Sequence, residues 1–188
     1  MRKLIFGINL TLDGCCDHTK GNGSDPEIHD YFAQHIRDAD ALVYGRITYQ
    51  LMVPYWPDVA KNRSGQTRAI NDFAQAFDAV KQIIVFSRTL KTAEGKNTRI
   101  VHAGLKDEIL KLKQEPGKDI LVGGVDLPSQ LMELDLIDEY RVVIHPRIVG
   151  EGRRLMDATS LQEKLQLKLI DSKIFRSGAV ALEYGRSI

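Results

Sequence analysis

Three short stretches carry residue types suited to gripping an anion: Gly45-Arg46, Ser87-Arg88 and Gly123-Gly124. An arginine can fork two N–H groups onto one phosphate, and a serine hydroxyl can donate a further hydrogen bond. A glycine pair lets bare peptide N–H groups come close to a bound group, and at the start of a helix the Gly124 amide can face a pyrophosphate. A fourth stretch, Thr11-Leu12-Asp13-Gly14, places a carboxylate in a turn. Together these residues suit an extended anionic cofactor.

Taken singly, each stretch has a plainer meaning. An exposed arginine is ordinarily a solvated charge, and a double glycine is ordinarily a tight strand-to-helix turn. What joins the four is that each follows an apolar run with strand character: Leu4–Leu10, Ala41–Tyr44, Ile83–Phe86 and Ile120–Val122. In an open parallel sheet the strand ends on one side share a crevice, so the four turns can converge despite their separation in sequence.

The elements that must position them read as follows. The polar, glycine-rich stretch Thr11–Pro26 is a long loop of the kind that often closes over a site. Asp25-Pro26-Glu27 opens a helix to about Asp38, with Ile28, Tyr31, Phe32 and His35 as its buried stripe. A helix opened by Gly45-Arg46 fades before Pro54, and Pro54–Gly65 is a surface loop in which Trp56 folds back as a lid on the core. Helices over Gln66–Val80 and Leu105–Gln114 follow, the second stopped by Pro116-Gly117. A short strand over Thr98–His102 lies between these two helices. Leu127, Leu131 and Leu134 mark a helix after the double glycine, and Ile137–Ile144 is a strand that runs out into the turn-rich loop Pro146–Gly152. Leu165, Leu167 and Leu169 alternate with polar residues in a strand expected to have one solvated face, and Val180, Leu182 and Tyr184 alternate in the last strand. Strands alternating with helices and ending in a hairpin predict an α/β three-layer fold. Its sheet is mostly parallel, with an antiparallel C-terminal edge and helices on both faces. The chain, residues 1–188, reads as one domain.

Composition narrows the classes. A net charge of +1 with 27% charged residues disfavours a dedicated nucleic-acid binder. No apolar run approaches a membrane span, and the start lacks the pattern of a signal peptide, so a cytoplasmic protein without a membrane partner is expected. Cys15 and Cys16 read as free thiols that either line the pocket or lie buried and inert, and no His/Cys/Asp/Glu set has metal-ligand spacing. G-x-G-x-x-G after the first strand, the P-loop pattern and the G-x-S-x-G elbow are all absent. His18, His29, His35 and His102 look like surface or helix-face residues, and His145 like a structural one.

TLDG, GRITYQ, SR, LVGGVDL and LIDEYRVVIHPRIVGEGRRL, in this order and spacing, resemble the dihydrofolate reductase superfamily. The likeness covers nearly the whole chain and is closest to the bacterial branch similar to the riboflavin-biosynthesis reductase domain (RibD C-terminal-like). The resemblance implies an NADPH-dependent reductase that passes a hydride to a small heterocyclic or ribosylamino-pyrimidine substrate and works as a homodimer. The alternatives it leaves are pterin reduction of the dihydrofolate reductase type, or a module that binds NADPH without turnover. It implies that Arg46, Arg88 and Ser87 grip the 2'-phosphate and that Gly45 and Thr48 lie by the cofactor. Gly123, Gly124 and Val125 would cover the pyrophosphate and nicotinamide side, and Gly150 and Gly152 would flank the cofactor. Asp13 would sit beside the nicotinamide. The proton that accompanies the hydride would come from Asp13, Asp25, Glu27 or Asp30, with Asp13, Glu27 and Asp30 taken as the catalytic set.

Overall fold

Branched and aromatic residues in short runs make the strands, and most of these runs are buried on both faces, as a parallel sheet requires. The computed structural model describes residues 1–20, 25–95, 97–155 and 165–187. In chain order the elements are β1 (Leu4–Thr11), α1 (Pro26–Asp38), β2 (Ala39–Gly45), α2 (Arg46–Met52), α3 (Tyr55–Asn62), α4 (Arg68–Asp78) and β3 (Gln82–Phe86). Then come β4 (Thr98–Val101), α5 (Leu105–Gln114), β5 (Asp119–Val122), α6 (Asp126–Glu133), β6 (Glu139–His145), β7 (Leu167–Ile174) and β8 (Val180–Arg186).

The eight strands form one sheet in the order β4-β3-β2-β5-β1-β6-β8-β7. Its first six strands run parallel, and β8 and β7 pair antiparallel at one edge. One face carries Leu4, Phe6, Val43, Ile84 and Ile120, which pack against Ile109 and Leu112 of α5 and Leu127 and Leu131 of α6. The other carries Leu42, Tyr44, Ile83 and Val85 under Ala33 and Ile36 of α1 and Phe73 and Phe77 of α4. The predicted three-layer arrangement is therefore the observed one.

Local chemistry explains the helix starts. The Asp25 carboxylate accepts from the Glu27 amide at 2.8 Å, and Pro26 occupies the first turn of α1, where no N–H is needed. Thr67 caps α4 by accepting from the Ile70 amide at 3.2 Å. Inside the sheet, the polar residue Asp40 of β2 is buried and answered by an ion pair to the buried Arg2, by Lys81 at 3.4 Å and by the Lys118 amide at 3.1 Å. These contacts tie the N-terminus to the lead-in of β5.

Two expectations change. The stretch 54–65 is not a loop: Tyr55–Asn62 forms α3, because Pro57 falls in its first turn and is tolerated there. Trp56 does fold back onto the core, but from a helix and not from a loop. Its ring lies 4.5 Å from that of Phe73, on the wall between α3 and α4. The strand at the sheet edge, β7, was expected to have one solvated face, but every one of its residues is exposed. Nothing among the described residues covers the second face.

Candidate cofactor and substrate cleft

The C-terminal ends of the parallel strands open into one cleft of about 1500 Å³. β2 delivers Gly45, Arg46 and Thr48 to its wall, β3 delivers Ser87 and Arg88, and β5 delivers Gly123, Gly124 and Val125. Chain crossing to opposite faces of the sheet leaves this gap, since α1 to α4 cover one face and α5 and α6 the other.

The turn between β5 and α6 lies hard against the start of α2. Gly124 has φ +99°, which L side chains rarely adopt, and a Cβ there would run into the Thr48 hydroxyl. A Cβ at Gly123 would stand 3.2 Å from the Tyr44 ring. Both positions thus present bare backbone where a phosphate-bearing ligand could approach.

Cations flank this end. Arg46 is exposed and donates to the Gln50 side-chain oxygen at 3.1 Å, and Arg88 is exposed; neither pairs with a carboxylate among the described residues. Arg153, which also lines the cleft, is paired with Asp126. The Ser87 oxygen accepts from the amides of Thr89 (3.3 Å) and Leu90 (3.0 Å), which leaves its hydroxyl hydrogen to donate. His102 joins this end, with Nδ1 2.8 Å from the Ser87 carbonyl oxygen. Its placement beyond β4 was legible only once β4 was known to lie parallel beside β3.

Six of the candidate cofactor and proton-donor residues, Asp25 among them, lie outside the cleft lining. Asp13 accepts from the Thr11 hydroxyl (2.5 Å), the Gly150 amide (2.9 Å) and the Val149 amide (3.4 Å). The Thr11 bond above all, then that to Gly150, pulls its carboxyl down to about 2, so it is ionised and committed to the loop. Gly150 is therefore a tie for Asp13, and Gly152 packs where a Cβ would stand 2.8 Å from Cys15 Sγ. Cys15 is buried and Cys16 lines the cleft. Glu27 is held by Arg176, from its amide at 2.8 Å and its Nε at 2.6 Å, and these bonds lower its pKa. Asp30 is exposed on α1, away from the cleft.

The face that α1 does turn to the cleft is formed by Ile28, His29, Phe32, His35 and Ile36, with no carboxylate. His29 had looked like a helix-face residue. The helical spacing to Phe32 was the signal that both share one face. His29 Nδ1–H donates to the Asp25 carbonyl oxygen at 2.9 Å, and its ring stands edge-on to Trp56 (6.3 Å) and Phe73 (6.0 Å). On β1 and β6, Asn9 and His145 also line the cleft, with His145 Nε2 3.0 Å from Asn9 Oδ1. Burial foremost, and Arg147 next, lower the pKa of His145. Deeper, His35 Nδ1 meets Arg141 Nη1 at 2.5 Å, and burial followed by that guanidinium holds the His35 pKa at about 4. His35 Nε2 lies 3.6 Å from Glu183, too far for a hydrogen bond, and the burial and the guanidinium outweigh that carboxylate.

A cleft at the carboxyl edge of such a sheet is walled by glycines and by two arginines, Arg46 and Arg88, that have no carboxylate partner among the described residues. Residues 2–181 match the model of the RibD C-terminal domain. The chain belongs to the RibD C-terminal domain family. A Bacillus subtilis relative, YyaP, is 31% identical over 188 residues, covering 97% of this chain and 94% of YyaP. Among solved structures, a putative riboflavin biosynthesis protein from Shewanella sp. PV-4 superposes with a TM-score of 0.73 at 20% identity, covering 99% of both chains. Dihydrofolate reductase from Enterococcus faecalis, solved as a complex with NADP(H), superposes at 0.63 and 12% identity over 99% of this chain and 97% of that one. These two likenesses establish a dihydrofolate reductase-like fold for this RibD C-terminal domain. No helix among the described residues is long and apolar enough to cross a membrane, and no group of three or more metal-ligating residues occurs among them.

Proposed function

We propose that this RibD C-terminal domain is an NADPH-dependent reductase of a small, planar molecule. The observation that carries the reading is the convergence of Gly45-Arg46, Ser87-Arg88 and Gly123-Gly124 on one cleft wall, with both guanidinium groups lacking carboxylate partners among the described residues. The fit to the cofactor rests on two features. Position 124 admits only glycine beside Thr48, which suits close approach of a pyrophosphate, and the paired arginines suit the extra phosphate that distinguishes NADPH from NADH. Arg46, Arg88 and Ser87 would hold that phosphate, and Gly123, Gly124, Val125 and Thr48 would hold the pyrophosphate side. When bound, NADPH supplies a hydride.

The chain's own residues do the rest. Phe32, Trp56 and Phe73 exclude water from the reacting face, and the cleft holds the substrate flat against the cofactor side. Asn9, with its oxygen bonded to His145, orients the substrate from β1. Asp13 and Glu27 support the loop and α1 that shape this space. The absence of an α1 carboxylate from the lining weighs against pterin reduction of the dihydrofolate reductase type.

Residues 1–188 would act as one domain. The exposed edge strand β7, with Leu169, Ile170 and Ile174 at 50%, 56% and 79% exposure, supports a homodimer. That neither Cys15 nor Cys16 is in a disulfide among the described residues supports a reducing, cytoplasmic setting. A crystal structure with NADPH tests the reading. The adenosine phosphate should lie within hydrogen-bond reach of Arg46 or Arg88, and a cofactor bound outside this cleft would refute it.

A further inference from the structure

The cleft has two chemically different ends, and the second end bears on what is reduced. Away from the arginines its walls come from α1, α2–α3, α4 and β1. The inner wall is aromatic: Phe32, Trp56 and Phe73, with His29 between the last two. The rim is apolar and exposed. Ile47, Leu51 and Tyr55 recur at four-residue spacing along α2 and into α3, at 57%, 47% and 55% exposure, and all three line the cleft. Exposed large apolar side chains at regular spacing along an open cleft mark a surface that an apolar ligand covers.

Among the described residues, these walls carry no fixed positive charge besides Arg46. Neither lysine nor arginine from α1, α2–α3 beyond Arg46, α4 or β1 lines the cleft. The arginine that β6 contributes, Arg141, has its charge balanced by two carboxylates, Glu183 and Glu139, each at 3.5 Å, and turns Nη1 to His35, although its buried Nε has no hydrogen-bond partner. His35 is neutral at pH 7, as its pKa of about 4 shows. A phosphate or carboxylate placed here would give up its hydration without a cationic partner, and burying an unpaired charge is costly. Besides His29, Ser64 and Gln66, a polar pair from β1 and β6 faces this space. His145 Nε2 donates to the Asn9 oxygen at 3.0 Å, which leaves the Asn9 amino group to donate outward.

We infer that the substrate is an uncharged, flat, largely apolar molecule carrying a carbonyl-type acceptor for Asn9, and not a phosphorylated one. This rests on the reductase reading above. It separates the chain from the reaction printed for a structural neighbour, the Thermotoga maritima 5-amino-6-(5-phosphoribosylamino)uracil reductase, of which this chain spans 57%.

The test compares 1-tetralone with 1-naphthyl phosphate by isothermal titration calorimetry, on the wild-type chain saturated with NADPH and on the Arg46→Ala/Arg88→Ala double variant without cofactor. The double variant empties the phosphate-binding end, so the comparison holds even if NADPH fails to bind, an outcome that would sink the cofactor reading alone. Tetralone should bind at least tenfold more tightly than naphthyl phosphate in both settings, and Asn9→Asp should weaken tetralone about tenfold. Leu51→Arg, a change at an exposed rim position, should raise naphthyl phosphate affinity about tenfold by supplying the missing cation. Naphthyl phosphate binding as tightly as tetralone in the double variant, or no binding of tetralone at millimolar concentration, overturns the inference.

Discussion

The Thr48 hydroxyl occupies the space that a side chain at position 124 would need. Two segments separated by more than seventy residues, the start of α2 and the turn after β5, are thereby locked together at the mouth of the cleft. Glycine is required at 124 on two counts, its φ of +99° and this contact.

Gly124→Ala should therefore cost about 1–3 kcal/mol of stability, the range for a side chain forced into a sparsely populated backbone region. Urea denaturation would measure it. Pairing the change with Thr48→Ala, which removes the contact but not the backbone strain, should recover only part of the loss. Full recovery would mean that φ contributes nothing.

Asp13 gives a pH prediction with a definite sign. Its pKa falls from 3.8 to about 2 because Thr11 and Gly150 hydrogen-bond the ionised form. A depressed carboxylate contributes stability that is complete above the unfolded value and is lost as pH falls through the folded one. The loop tie between Asp13 and Gly150 should thus hold at pH 5 and loosen toward pH 2, seen as a lower hydrogen-exchange protection factor at the Gly150 amide, relative to its intrinsic rate at each pH. Because Asp13 is already ionised at neutral pH, Asp13→Asn should leave the shape of any rate profile between pH 5 and 8 unchanged. A titration of activity in that range that disappears in the variant would make Asp13 an acid after all.

His35 acts in a higher window. Its pKa drops from 6.5 to about 4 through burial and the Arg141 guanidinium. The unfolded chain takes up this proton first, so stability is complete above pH 6.5 and declines toward pH 4, by roughly 3 kcal/mol if nothing relaxes. His35→Gln, neutral at every pH, should flatten the stability curve in that interval when chemical denaturation is repeated at several pH values. An unchanged slope would show that His35 titrates in the fold as it does in the unfolded chain.

Arg2 and Asp40 form a buried ion pair, with side chains 3% and 8% exposed. Asp40→Ala would leave a buried guanidinium without its main partner, at a cost of about 3–5 kcal/mol. Thermal unfolding should show a large drop in Tm with no change in ligand specificity, since the pair lies far from the cleft mouth. A drop no larger than that of an exposed pair, such as Arg68 with Asp72, would contradict the assigned role.

Much of this was legible in the sequence, for physical reasons that differ from residue to residue. The order of strands and helices followed from apolar periodicity, and the turns at Arg46, Arg88 and Gly124 followed from their place directly after strands. Helix α3 was not legible, because two prolines in Pro54–Pro57 read as breakers until their fall at and just inside a helix start was known. The partners of the acids were not legible for a related reason. Sequence shows that Asp13 and Glu27 lie near the right elements, but not that backbone amides and Arg176 already claim them. The substrate end was invisible for the opposite reason. Asn9, His29, Trp56 and Phe73 come from four elements and carry no local motif, so only the packed fold brings them to one wall.

The central claim is that the arginine-flanked end of the cleft holds NADPH. The chain has a single tryptophan, and Trp56 lines the cleft, so energy transfer from it to bound nicotinamide reports occupancy directly. Titrating wild-type, Arg46→Ala and Arg88→Ala proteins with NADPH and NADH should show NADPH bound more tightly than NADH by the wild type. Each variant should lose about tenfold in NADPH affinity, near the worth of one charge-assisted hydrogen bond at ~1.5 kcal/mol, with NADH affinity unchanged. Equal binding of the two nucleotides by the wild type, or NADPH affinity indifferent to both arginines, would contradict the account.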